Sequence, residues 1–343
     1  MHSHLSFTRD QYGSSQNYAA KNYAALDLGT NNCRLLIARP TADGFRVVDA
    51  FSRIVRLGEG LALSNRLCAE AITRSIEALK ICREKIELRG VSRVRLVATE
   101  ACRVAHNGSF FLDRVSKEAG LDLEIVDRET EARLAAAGCA ALADPEASSV
   151  VLFDIGGGST EVVWLKQANS GAQSTNSRVK AWASLPVGVV TLADRYGGID
   201  VNLNCFESMV TEVSAHLQSF TKQAASSVEC PNFHILGTSG TVTTIAGVYL
   251  ELKRYQRKEV DGIWMGNNDV ERVMQQLLNM TYAERAANPC IGLERADLVL
   301  AGCAIFEAIR RAFPSKRVRI ADRGLREGIL MEMMQADGVW KKH

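Results

Sequence analysis

One short pattern ends two separate hydrophobic runs of this chain, and it narrows the folds open to it. Leu26-Asp27-Leu28-Gly29-Thr30 closes the first run, and Phe153-Asp154-Ile155-Gly156-Gly157-Gly158-Ser159-Thr160-Glu161 closes the second. Each puts a carboxylate at the tip of a strand, then glycine, then small hydroxyl-bearing residues. A buried strand turning through glycine brings backbone N–H groups close to phosphate oxygens, and the aspartate can hold a divalent cation among them. Two such loops facing each other would form a phosphate clamp.

At 343 residues the chain is long enough for two domains, each with its own core. A hydrophobic share of 47% fits a soluble globular protein. Lys and Arg number 41 against 39 Asp and Glu, so bulk charge calls for no nucleic acid. An anionic ligand must then be met by locally placed arginines. The nine cysteines are scattered without a C-x-x-C pair, which argues against zinc. Cys82, Cys139 and Cys303 fall inside apolar helical patterns and read as buried thiols. An odd cysteine count without a signal peptide points to a reducing cytoplasm. Every apolar stretch is broken by charge short of a membrane span.

Residues 1–22 are polar and aperiodic and read as a disordered leader. Beyond them the patterning predicts strands at 23–28, 33–39 and 44–51, a helix over 65–88, a strand at 93–98 and a helix over 109–119. Ser109 would cap that helix at its start and Gly120 at its end. A short buried strand at 123–126 and an alanine-rich helix over 129–142 follow. The polar segment 144–149 reads as the joint between domains. The pattern then restarts with strands at 150–155, 161–166 and 180–185, the last two joined by a polar tip at 167–177. Helix 206–222, strand 233–236, a helix from Thr241, helix 294–311, strand 317–321 and helix 325–335 complete the chain. Both halves open on a three-stranded meander, so duplication of one α/β unit is the simplest account. The expected domains are 23–145 and 146–321, with 322–343 packing back on the first.

Three consecutive glycines after a buried strand carry a high entropic cost, and a plain hairpin needs only two. Gly156, Gly157, Gly158 and Ser159 are therefore candidate ligand contacts, although no Gly-Lys-[Ser/Thr] follows to make a Walker loop. Gly237-Thr238-Ser239-Gly240-Thr241 joins a strand to a helix; it is either an ordinary turn or a second anion site at the helix N-terminus. Asp27, Asp154 and Glu161 are candidate Mg²⁺ ligands, because phosphate-bound Mg²⁺ takes one or two carboxylates and keeps waters. Glu131 sits in the first turn of its helix, where spacing alone reads as a residue favoured by the helix dipole. Arg34 and Arg103 could neutralise phosphate, or could be solvated surface charges.

Taken in order, these motifs resemble the exopolyphosphatase / guanosine pentaphosphate phosphohydrolase family of the acetate kinase–hsp70–actin superfamily. The resemblance runs from about residue 23 to 334. It rests on Ala25-Leu26-Asp27-Leu28-Gly29-Thr30-Asn31, Ala98-Thr99 with Arg103-Val104-Ala105, Glu131-Ala132-Arg133-Leu134, the Asp154 loop, Leu185 to Gly188 and the Gly237 loop. Gly292-Leu293, Arg295-Ala296-Asp297, Ala301-Gly302, Asp322 and Leu325-Arg326-Glu327-Gly328 complete it. It implies an α/β fold of two actin-like, ribonuclease H-like domains with a substrate cleft between them. On this pattern Glu131 matches the glutamate that activates water, and Asp154 and Glu161 match metal-binding and catalytic positions. Gly29, Thr30, Asn31, Arg103, the Gly156–Ser159 loop and Gly237, Ser239 and Gly240 match phosphate contacts. Three positions depart from the pattern: Thr130 stands where a second glutamate is common, Asn32 replaces a hydroxyl, and Arg323 replaces a glycine. The chain matches the short form, without the further C-terminal helical domains of longer relatives.

The resemblance implies a cytoplasmic, Mg²⁺-dependent exopolyphosphatase that releases orthophosphate, with guanosine pentaphosphate as the rival substrate. A homodimer fits the same family, with neither nucleic acid nor membrane as partner. Two other classes compete: a sugar or acetate kinase or actin-like ATPase on the same fold, and a polyphosphate or alarmone sensor that binds without cleaving.

Overall fold

The computed structural model describes residues 21–166, 178–225 and 232–340. The leader up to residue 20 and the tip at 167–177 lie outside the described residues. Asn22, assigned to the leader from its polarity, instead opens the first strand.

The chain forms two compact units, Met1–Asp127 with Arg326–His343, and Arg128–Leu325. Unit 1 begins with β1 (Asn22–Leu28), β2 (Asn32–Thr41) and β3 (Gly44–Ile54), then α1 (Leu61–Ser64), α2 (Ala69–Leu88), β4 (Val91–Ala98), α3 (Glu100–Val104), α4 (Gly108–Ala119) and β5 (Glu124–Ile125). Its core lies where Leu26, Leu35, Ile37 and Leu96 of the sheet meet Ile72, Ile76, Leu79 and Ile86 of α2 and Phe111 and Val115 of α4. Gly120 ends α4 at φ 63°, and its N–H reaches the Ser116 carbonyl, the left-handed cap that glycine allows. Other boundaries moved. Asn65 takes a left-handed φ of 53° after α1, so the long helix starts four residues later, at Ala69. Asn107 rather than Ser109 precedes α4, and its side-chain amide is used to bind both main-chain groups of Leu67. The strand expected at 123–126 shrinks to two exposed residues.

Unit 2 runs α5 (Arg128–Cys139), β6 (Ser149–Ile155), β7 (Thr160–Lys166), β8 (Val179–Leu185), α6 (Val189–Tyr196), α7 (Leu203–Ala225), β9 (Phe233–Thr238), α8 (Gly240–Tyr249), α9 (Arg257–Val260), β10 (Trp264–Gly266), α10 (Asn267–Asn279), α11 (Tyr282–Ala287), α12 (Val299–Ala312) and β11 (Arg317–Ala321). The closing helix α13 (Leu325–Ala336) returns to unit 1, where Arg95 pairs with Glu332 and Tyr23 and Arg93 bind Asp337. Helix α12 begins at Val299, five residues later than its apolar pattern implied, because residues before it form turns.

Among the described residues the strand orders are β3-β2-β1-β4-β5 and β10-β11-β9-β6-β7-β8. In both sheets an antiparallel meander is followed by parallel neighbours, β1 with β4 and β6 with β9. The duplication read from element order is thus present in the topology. This is a mixed α/β fold of two actin-like units. No helix among the described residues is long and apolar enough to cross a membrane.

The unit boundaries differ from the expected 145/146 and 321/322. Helix α5 belongs to unit 2 because Ala132, Ala136 and Cys139 pack on Val150, Leu152, Val163 and Leu165. Alanine on that stripe lets the helix lie close to the sheet. The polar segment read as a joint is docked instead: Ser148 donates to the Asn232 carbonyl and Asn232 to that of Glu146. The Asp144 amide donates to His234 Nε2 at 3.0 Å, and Nδ1 of the same ring pairs with the Ile235 carbonyl at 3.1 Å.

This pairing requires a neutral imidazole. Burial pushes the His234 pKa below its ordinary 6.5, with Arg317 and Arg319 acting the same way against Asp144 and the Ile235 carbonyl. The unfolded chain therefore binds the proton more tightly. The stability His234 contributes is complete above the unfolded value and is lost as pH falls from about 6.5 through the lower folded value. Melting curves between about pH 7 and about pH 5 should show a larger loss for the wild type than for His234→Gln, which cannot titrate. Parallel curves would mean that His234 does not set the acid limit.

Candidate active site

The hairpin β6–β7 pairs Ile155 with Thr160 and Asp154 with Glu161. On the outer sides, Ser184 of β8 lies opposite Glu161 and Thr238 of β9 opposite Asp154. Thr238, Asp154, Glu161 and Ser184 thus form one row across four strands. By the two-residue alternation of strands, the row shares a face with Val150, Leu152, Val163 and Leu165, the face covered by α5. Glu131, half-buried in the first turn of α5, is carried on the helix over this face.

Two carboxylates directly opposite each other repel, and burial strengthens the repulsion. Glu161 is only 2% exposed. Its Oε1 accepts hydrogen bonds from Ser159 Oγ at 2.9 Å and Ser184 Oγ at 2.8 Å. At the other end of the row Thr238 Oγ1 donates to the Arg323 carbonyl at 2.7 Å, which also receives Cys139 Sγ at 3.0 Å. The next residue, Gly324, packs so that an added Cβ would lie 3.8 Å from Asp154 Oδ2. Arg323, the departure from the glycine pattern, grips both carboxylate oxygens of Asp261, and the Asp322 amide donates to the same side chain. Its charge therefore holds the turn beside Asp154 in place.

The glycine loop is constrained by close approach. Gly156 N–H donates to Ser159 O at 2.9 Å, and a Cβ on Gly156 would meet that oxygen at the same distance. A Cβ on Gly188 would overlap the backbone of Gly157. The first amides of α6 bind the loop's carbonyls: Val189 N to Gly156 O at 3.0 Å and Val190 N to Gly157 O at 2.8 Å. With the carbonyls committed to that helix, the amides of Gly157, Gly158 and Ser159 find no acceptor within the protein among the described residues.

On the neighbouring strand, β9 ends at Thr238 and Ser239 caps α8, its Oγ accepting the Thr241 amide at 3.1 Å. Ser239 has φ 130° and ψ 172°, a region that belongs almost wholly to glycine and costs about 1–3 kcal/mol for other residues. Arg295 stands over the start of this helix, its Nη1 3.4 Å from where a Gly240 Cβ would be. Arg295 is not among the contacts expected from the sequence, because no local spacing ties it to a loop more than fifty residues earlier.

Unit 1 repeats the geometry with different charges. Asp27 ends β1 as Asp154 ends β6, but the residue opposite Asp27 is Arg34. Burial pushes the Asp27 carboxyl up, Arg34 and Arg326 hold it down, and Glu327 raises it further. Gly29 N–H closes the turn on Asn32 O, while Val55 and Gly58 amides clasp the carbonyls of Asn31 and Thr30. Asn31 Oδ1 is buried without a hydrogen-bond partner. Arg103 is committed to Glu100, at 3.0 and 2.6 Å, and to the Val126 carbonyl. Of the three expected metal ligands, Asp154 and Glu161 pair in unit 2, and Asp27 belongs to unit 1. No group of three or more His, Cys, Asp or Glu suited to a metal occurs among the described residues.

A strand-end carboxylate pair flanked by glycine-hydroxyl loops, on two actin-like α/β units, defines a phosphate-handling class of enzyme. The Ppx/GppA phosphatase family model matches residues 36–337. An exopolyphosphatase from Cytophaga hutchinsonii superposes with a TM-score of 0.82 at 25% identity, over 92% of this chain and 98% of that one. The Aquifex aeolicus member of the Ppx/GppA family superposes with a TM-score of 0.72 at 28% identity, over 92% and 98% of the two chains. The chain belongs to the Ppx/GppA phosphatase family and is a hydrolase acting on phosphoanhydride bonds.

The strain at Ser239 is open to test. Ser239→Ala keeps the unfavourable φ and loses the cap, whereas Ser239→Gly loses the cap but relaxes the backbone. The glycine variant should be more stable than the alanine variant by about 1–3 kcal/mol in denaturant melts. Equal stabilities would show that the loop carries no strain.

Proposed function

We propose that the protein hydrolyses the terminal phosphoanhydride of inorganic polyphosphate and releases orthophosphate in a Mg²⁺-dependent reaction. The observation that carries this reading is the facing pair Asp154 and Glu161, set beside a loop of open amides and beneath the helix that bears Glu131. The likeness to the Cytophaga exopolyphosphatase supports polyphosphate as substrate. Guanosine pentaphosphate presents the same terminal anhydride and is the second substrate to test. We place the protein in the cytoplasm, the compartment in which scattered reduced cysteines persist.

The donor set suits a hard cation, being all oxygen and made of two carboxylates whose repulsion a divalent ion would relieve. Asp154 and Glu161 would hold Mg²⁺, which when bound supplies charge neutralisation at the phosphate oxygens. The amides of Gly157, Gly158 and Ser159 bind equatorial oxygens of the reacting phosphoryl group. The start of α8 with Arg295 binds the phosphates behind it, using helix-end amides and a guanidinium fork. Glu131 orients a water in line with the scissile bond and takes its proton as the water oxygen attacks phosphorus. The bridging P–O bond breaks, and the shortened chain leaves with the electron pair.

Glu131→Gln should lower kcat by about 10²–10⁴-fold, measured as orthophosphate release, while polyphosphate binding by the same variant stays near wild type. Unchanged turnover would remove Glu131 from the reaction. In a substrate panel, release from polyphosphate should stop on chelation of divalent ions and resume with Mg²⁺. Release confined to guanosine pentaphosphate would transfer the assignment to the nucleotide.

A further inference from the structure

Arg285 of α11 is 2% exposed, among the largest fully buried side chains of the protein. Its guanidinium spends its donors on main-chain carbonyls of three separate segments. Nε donates to Ala296 O at 3.0 Å, Nη1 to Met280 O at 2.9 Å, and Nη2 to Gly198 O at 3.2 Å and Ile199 O at 2.6 Å. Burial lowers its pKa, yet an arginine stays charged, so the carbonyl dipoles serve as its solvation shell. The first of these acceptors is the residue after Arg295.

The turns that carry Arg295 have local main-chain bonds, Arg295 N–H to Gly292 O and the Leu298 and Val299 amides to Arg295 O, and are anchored to the rest of the unit at their two ends. At their start Thr244 Oγ1 of α8 donates to the Cys290 carbonyl at 3.3 Å. At their end Ala296 is held by Arg285, and Gly198 packs so tightly on Asp297 that an added Cβ would overlap its carbonyl. The guanidinium of Arg295 is thereby delivered to Gly240 at the start of α8. A lysine at 285 could not replace the fork, since one nitrogen cannot serve carbonyls lying in three directions.

We propose that Arg285 is a positioning residue for the phosphate site at the start of α8, acting through the main chain of Ala296 to set the place of Arg295. The inference rests on the phosphate role assigned above to Arg295 and that helix. It predicts a binding defect rather than a general loss of stability, because Arg295 would grip ground state and transition state alike.

The test uses the full chain and whichever of the two anions it cleaves. Arg285→Lys should raise KM about tenfold with kcat within about twofold, the pattern of lost uniform binding. Gly198→Ala, which leaves Arg285 intact and pushes Asp297 from the other side, should do the same and carries the test if Arg285→Lys does not fold. Arg295→Ala should also raise KM, and adding Arg285→Lys to it should change KM by less than about twofold, since both act on one contact. Leu217→Ala, a core truncation on α7, should lower the melting temperature and leave KM alone. A melting loss in Arg285→Lys with unchanged KM, or a full KM increase in the Arg295→Ala background, overturns the positioning role. An unchanged KM in Arg295→Ala overturns the phosphate reading of that helix start and this inference with it.

Discussion

The site in unit 2 is organised by two carboxylates held opposite each other. Asp154 and Glu161 are cross-strand partners on the buried face of a central hairpin, an arrangement that costs energy unless positive charge or hydroxyl donors meet it. Much of the surrounding construction answers that cost. Ser159 and Ser184 donate to Glu161, and Arg323 clamps the turn next to Asp154 onto Asp261. The alanine stripe of α5 closes over the face without adding bulk. The proposed chemistry therefore rests on the pair rather than on the glycines.

The two units show how a duplicated fold acquires unequal roles. Both sheets run meander first and parallel strands after, and both place an aspartate two residues ahead of a glycine turn. The difference lies across the strand. Arg34 faces Asp27 and offsets its charge, whereas Glu161 faces Asp154 and doubles it. The glycine loop of unit 2 is also turned by a neighbour: α6 takes its carbonyls and leaves its amides without an acceptor among the described residues. A single exchange of sign on the partner strand is enough to separate a charge-balanced turn from a doubly acidic one.

Much of the fold was legible in the sequence where its signal is local. Strand alternation located the two meanders, and the apolar spacing of Ile72, Ile76, Leu79 and Ile86 located α2. Gly120 marked the end of α4 through its left-handed cap. The readings that failed depended on distant partners. Asn107 was spent on Leu67, the 144–149 segment was docked on His234 and Asn232, and α5 was drawn into unit 2 by its packing on β6 and β7. For the site, Asp154, Glu161 and the glycine loop stood out by residue type, while Glu131 stood out only through resemblance.

The sequence by itself determined which residues are candidates for the chemistry: acidic strand ends, glycines that permit close approach, and a family of motifs in fixed order. These are properties of side-chain type and short spacing, written along the chain. Only the tertiary structure decided their partners. It set Glu161 across from Asp154, committed Arg103 to Glu100, gave Arg323 a purpose on Asp261, and brought Arg295 to Gly240 through the buried fork of Arg285. Those outcomes follow from register and packing between residues far apart in sequence, where charge and hydrogen-bond balance are settled by neighbours that local spacing cannot name.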